Sequence, residues 1–126
     1  MAERKVVVFA NRRLQRRHTL GPETRSTLKF RWPAPNGQEL TARVRDVSLS
    51  GLSMGLPDEL VGFEVGDILK GIELHINGKV VHGDLLAMHV THVEGTGSIC
   101  GGLFYPQADE DLITIRLIVR ALEAES

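Results

Sequence analysis

Four arginines within six residues, Arg12, Arg13, Arg16 and Arg17, are the densest group of chemically capable side chains in the sequence. A guanidinium is planar, permanently charged and forked, so it can hold a phosphate through two parallel hydrogen bonds. The same fork fits the O6/N7 edge of guanine, and its plane can stack on a purine face. Two R-x-x-x-R spacings overlap in the cluster, Arg12/Arg16 and Arg13/Arg17, and no lysine interrupts them. About thirty residues later comes Asp46-Val47-Ser48-Leu49-Ser50-Gly51, a D-x-S-x-x-G element. Asp46 offers two acceptor oxygens, enough for the N1–H and N2–H of a guanine. Ser48 adds a small hydroxyl, and Gly51 permits a positive φ or a close approach of backbone to a ligand.

Each element alone has a plainer reading. The arginines fit a solvated arm or a general nucleic-acid contact as well as a specific anion site. The D-x-S-x-x-G element fits an Asx- or Ser-turn that closes a strand end. The surrounding elements therefore matter.

Alternating apolar and polar residues predict a strand over Ser26–Trp32 and another over Leu40–Arg45, joined by a turn at Pro33–Gly37 with Asn36-Gly37 near its tip. The D-x-S-x-x-G element then leads directly into Leu52-Ser53-Met54. Pro57–Gly66 reads as a loop or short helical turn. Ile68–Ile76 reads as a strand with Ile72, Leu74 and Ile76 on one face, and Asn77-Gly78 is a strong hairpin signal. In the return run Lys79–Val93, Gly83 is expected to make a bulge or bend, with Leu86, Met88 and Val90 sharing one face. A turn at Glu94–Gly97 precedes a last strand over Ser98–Tyr105. Leu112, Ile115, Ile118, Val119 and Leu122 recur at helical spacing. Asp109, Glu110 and Asp111 at the start of this segment, with Arg116 and Arg120 nearer its end, match the helix dipole. Short strands, close turns and one terminal helix suggest a small antiparallel barrel, closed so that no edge is exposed.

In this order and at this separation, the two motifs resemble the ligand signature of PilZ domains. Asn11-Arg12-Arg13, Arg43–Ser48 and Gly101-Gly102-Leu103-Phe104 also stand where that family places similar residues, so the resemblance covers nearly the whole chain. It implies a mainly β fold: a small six-stranded antiparallel β-barrel with a C-terminal α-helix over residues 26–126, preceded by a basic arm, residues 1–25, that carries R-x-x-x-R. It also implies cyclic di-GMP as the ligand, clamped by the arginines against the second motif at the barrel mouth. The implied contacts are Arg12, Arg13, Arg16, Arg17, Asp46, Ser48 and Gly51, with His89 and Gly102 as further candidates. Relatives with consecutive arginines favour the Arg13/Arg17 register, with Arg12 assisting, but both registers stay open. So does the choice between one ligand molecule and a stacked pair, because His18-Thr19-Leu20-Gly21-Pro22 replaces the β-branched residue that usually follows the last arginine. The implied function is a bacterial receptor or adaptor whose basic segment orders on nucleotide binding. It would regulate a partner protein, with motility, exopolysaccharide or biofilm behaviour as output. The alternative is a PilZ-fold interaction module that binds no nucleotide.

Composition narrows the remaining classes. At 126 residues the chain fits one domain with a modest core. No apolar run approaches the ~20 residues that span a bilayer. Val6–Phe9 is also shorter than the roughly 7–15 residues of a signal-peptide core. Cys100 is the lone cysteine, so no internal disulfide can form, and a cytoplasmic location is expected. The net charge of −1 conceals an asymmetry: Arg4, Lys5, Arg12, Arg13, Arg16, Arg17, Arg25, Lys29 and Arg31 put nine of the fifteen basic residues in the first 31 positions. One Trp, one Tyr and four Phe give few platforms for stacking a single strand, so DNA and RNA are not expected as partners. His75, His82, His89 and His92 are scattered over strands with no cysteine nearby, and no metal is expected. Without a nucleophile elbow, paired carboxylates in a glycine-rich pocket or a phosphate loop, no catalytic residue and no cofactor beyond the ligand are expected. Trp32 is assigned to the barrel rim and Cys100 to the core.

Overall fold

The computed structural model describes residues 17–21, 24–33, 37–56, 60, 62–93 and 97–125. Among the described residues, seven strands and one helix follow in order: β1 (His18–Thr19), β2 (Ser26–Trp32), β3 (Gln38–Val47), β4 (Gly51–Leu56), β5 (Ile68–Ile76), β6 (Lys79–Val93), β7 (Gly97–Pro106) and α1 (Asp109–Glu125). All strand pairs are antiparallel, in the order β3-β2-β5-β6-β7-β4, and β4 pairs back onto β3. Six strands therefore close into a barrel. The two-residue β1 extends the β2 side of β3 beyond the point where β2 begins, pairing His18 with Val47 and Thr19 with Asp46.

Side chains at alternate positions fill the interior. Leu28, Leu52, Met54, Ile72, Leu74, Val81 and Leu85 all have 0% exposure. Full burial of each such side chain contributes about 1.5–3 kcal/mol. As expected, Ile72, Leu74 and Ile76 share the inner face. The expected hairpin at Asn77-Gly78 is present, with φ of 49° and 82° at the two central residues. Trp32 is half-buried and meets Phe63 edge-on, with ring centroids 5.1 Å apart.

Helix α1 packs chiefly against β6 and also touches β1 and β7, burying Ile115, Ile118, Val119 and Leu122. Its start is fixed by Asp111. This carboxylate accepts the Ala108 amide (3.1 Å) at the helix entrance and the His82 amide (2.9 Å) of β6. One side chain thus satisfies an orphan helix donor and ties the helix to the barrel. At the other end, the expected basic complement to the dipole is displaced: the last turn holds no basic residue, and Arg116 and Arg120 lie further back.

Three bulges reset the side-chain alternation, and two expectations fail there. Gly83 is not a bulge. The extra residue lies opposite it in β5, between Leu69 and Ile72, where Gly71 takes φ of 63° and donates its amide to Asp84 (3.0 Å). Gly83 instead sits so close to β7 that a Cβ would lie 2.4 Å from the Tyr105 carbonyl oxygen. In β6 a second bulge between Ala87 and His89 makes Met88 the extra residue. Leu86, Met88 and Val90 therefore do not form one buried face: Val81, Leu85 and Ala87 point inward, Met88 is 44% exposed, and Val90 packs against the core beyond the bulge. The third bulge, between Val44 and Asp46 in β3, bears on the site.

Candidate functional site

Asp46 owes its direction to that third bulge. Val44 and Val47 are both buried at 1% exposure, three residues apart, because Arg45 is the extra residue between them. Regular alternation would have put Asp46 on the same face as Val44, inside the barrel. The bulge turns it outward. There its Oδ2 accepts a 2.7 Å hydrogen bond from the Ser53 hydroxyl on β4, directly across the ladder. Its Oδ1 is buried and, among the described residues, accepts no hydrogen bond. Among those residues the cation nearest Oδ1 is the Arg17 guanidinium at 4.0 Å.

Arg17 reaches this position because it immediately precedes β1. With Thr19 opposite Asp46 and the Leu20 amide donating to the Arg45 carbonyl (2.9 Å), the chain leaves the sheet beside the D-x-S-x-x-G element. Arg17 is 57% exposed, so its pairing with Asp46 is screened by water and contributes at most about 1 kcal/mol. Its guanidinium stays open to a ligand. Arg12, Arg13 and Arg16 lie outside the described residues.

Ser48 and Gly51 serve the seat by shaping it. The Ser48 hydroxyl accepts the amides of Gly51 (3.2 Å) and Ser50 (3.4 Å), and the Ser48 amide donates to the Gly51 carbonyl (2.8 Å). The motif is thus a serine-closed turn between β3 and β4. Gly51 meets its requirement through proximity: a Cβ there would lie 2.4 Å from the Gly102 carbonyl oxygen. Gly102 is constrained in the same way, since its Cβ would fall 2.4 Å from the Leu86 carbonyl oxygen. These glycines let β4, β7 and β6 approach closely under the site.

His89 shares a ladder row with the seat. Asp46 pairs with Ser53, Ser53 with Gly101 and Gly101 with His89. Gly101 has no side chain, and the nearest atom to a Cβ built there is the Ser53 Cβ at 4.0 Å, so the row is low between its two ends. Three interstrand steps put His89 roughly 14 Å from Asp46 along the sheet, so only an extended ligand could touch both. Sequence reasoning missed two neighbours. Ser53 falls outside the motif, although counting outward from the turn pairs it with Asp46. Arg45 lays its stem beside Gly55, with its Cδ 3.8 Å from a Cβ built there, which adds a basic side chain near the seat. Among the described residues no three His, Cys, Asp or Glu side chains gather as a metal site, and no helix is long and apolar enough to cross a membrane.

The fold recurs in known proteins. The chain superposes on the PilZ domain of YcgR from Escherichia coli, solved with c-di-GMP, with a TM-score of 0.69 and 17% identity, covering 90% of this chain and 93% of that one. The chain has the fold of a PilZ domain. The chain also superposes on the K. pneumonia MrkH–c-di-GMP complex, with a TM-score of 0.76 and 19% identity over 88% of this chain and 52% of MrkH. In sequence, the flagellar brake protein YcgR of Methylibium petroleiphilum is 32% identical over 81 residues, which is 62% of this chain and 35% of that protein. The chain thus spans about a third of the curated relative it matches. No family model matches it.

Proposed function

We propose that this chain is a cyclic di-GMP receptor that regulates a partner protein. One observation carries the reading: the Arg17 guanidinium stands 4.0 Å from an Asp46 oxygen that, among the described residues, accepts no hydrogen bond. Cation and acceptor lie side by side on the outside of a rigid barrel, which suits a ligand carrying both phosphates and guanine donor edges. Asp46 accepts a guanine N1–H and N2–H pair, and Arg17 turns from Asp46 to a phosphate or to O6/N7. Arg12, Arg13 and Arg16 supply further guanidiniums within five residues of Arg17 in sequence. Ser48, Gly51 and Gly102 keep the turn and strands in place beneath the ligand, and His89 offers a ring at the far end of the row. The solved PilZ neighbours holding c-di-GMP support the same assignment.

Ligand binding draws the basic segment onto the barrel and changes the surface a partner meets. Motility, exopolysaccharide synthesis or biofilm behaviour is the output class. The test is a calorimetric titration of the folded chain with cyclic di-GMP and, separately, with cyclic di-AMP. Saturable binding of the guanine compound alone supports the proposal. No binding up to about 100 μM, the range of weak specific complexes, refutes it.

A further inference from the structure

Helix α1 is apolar on two sides. Ile115, Ile118, Val119 and Leu122 face the barrel. At 100° per residue, Ile113, Leu117 and Ala124 fall on the opposite side, with Ala121 at its border. Ile113 is 57% exposed and Leu117 50%, and Ala121 and Ala124 are exposed as well. A surface helix normally carries polar residues there. Glu110 flanks this ridge one turn before Ile113, and Arg120 flanks it one turn after Leu117. Among the described residues neither side chain makes an ion pair.

We propose that the ridge pairs with a second copy of this chain as an antiparallel, two-fold symmetric helix pair. The argument rests on register. Setting Glu110 of one copy level with Arg120 of the other places the two-fold axis at the height of Ile115. That same axis sets Ile113 level with Leu117. A single axis therefore makes two ion pairs and two apolar pairs, the self-complementarity an isologous interface requires. It also sets Thr114 level with Arg116 and Asp109 level with Ala121, so no like charges stand level; the two Arg116 side chains share one outer flank near the axis, where both are exposed and can extend into water. A parallel pair would set Glu110 against Glu110 and Arg120 against Arg120. The contact is small, so the dimer is a weak one that forms at micromolar concentrations.

Sedimentation velocity from about 1 to 500 μM reads this association directly, and the range covers weak homodimers. The wild-type chain dimerises as concentration rises. Leu117→Glu weakens the dimer at least about tenfold, since it buries two carboxylates in the apolar pairs. Glu110→Arg alone and Arg120→Glu alone each weaken it about tenfold, because both ion pairs become repulsive. Mixing these two variants restores association: the introduced arginine of one copy then faces the introduced glutamate of the other, and the second pair, Arg120 against Glu110, is the native one. All three substituted positions are exposed, and unchanged thermal melts check that the barrel stays folded. A wild-type monomer throughout the range, a dimer indifferent to Leu117→Glu, or a mixture that stays monomeric overturns the proposal.

Discussion

Replacing Ser53 with alanine tests whether the seat is set by residues outside the two motifs. The hydroxyl donates to Asp46 Oδ2 at 2.7 Å, and the serine is 6% exposed. Hydrogen bonds to charged groups contribute about 1.5–3 kcal/mol when dry. The Asp46 side chain is 22% exposed, so water replaces part of the lost donor, and the expected cost to stability is about 1 kcal/mol. For a domain of this size that lowers Tm by about 4 °C. Binding should suffer comparably, because a carboxylate released from Ser53 must be re-ordered by the ligand. The expected loss in cyclic di-GMP affinity is about fivefold, or ~1 kcal/mol. Isothermal titration of wild type, Ser53→Ala and Ser53→Thr separates the causes, since threonine retains the donor and should recover most of the affinity. If Ser53→Ala binds as tightly as wild type while Asp46→Ala does not bind, Ser53 has no positioning role and the reasoning fails.

Two further outcomes follow from the fold. Asp111→Ala removes an acceptor shared by the Ala108 and His82 amides and should cost about 2 kcal/mol, seen as a lower denaturation midpoint with an unchanged m-value. Burial pushes the Cys100 thiol up to about 11. Because the folded pKa is raised, the stability it contributes is intact below pH 9, where the unfolded thiol begins to ionise, and is lost as pH climbs towards 11. Denaturant melts across that window should show the decline, and Cys100→Ala should flatten it. Cys100 should also resist a thiol reagent at pH 8 until the chain is unfolded.

The elements whose signals are local were legible in the sequence. Asn77-Gly78 needs two positive φ angles, and few dipeptides supply them. The α1 stripe and the inner face of β5 follow from period alone. The bulges were not legible, because an extra residue is defined by what the neighbouring strand does. That is why Met88 lies on the surface and why Gly83, read as a bulge or bend, proved to be a point of close strand contact. The same limit shaped the reading of the site. The D-x-S-x-x-G spacing marked the turn, but only the bulge at Arg45 explains how Asp46 comes to face outward beside Arg17. Ser53 escaped notice because its partner lies across a ladder rather than along the chain.

A double-mutant cycle on Arg17 and Asp46, read by calorimetric titration with cyclic di-GMP, bears most directly on the central claim. Arg17→Ala and Asp46→Ala should each weaken binding by about 2–4 kcal/mol, and the double variant should lose less than the sum because both side chains grip one ligand. Wild-type binding that survives both substitutions unchanged would place the ligand elsewhere on the barrel and contradict the account.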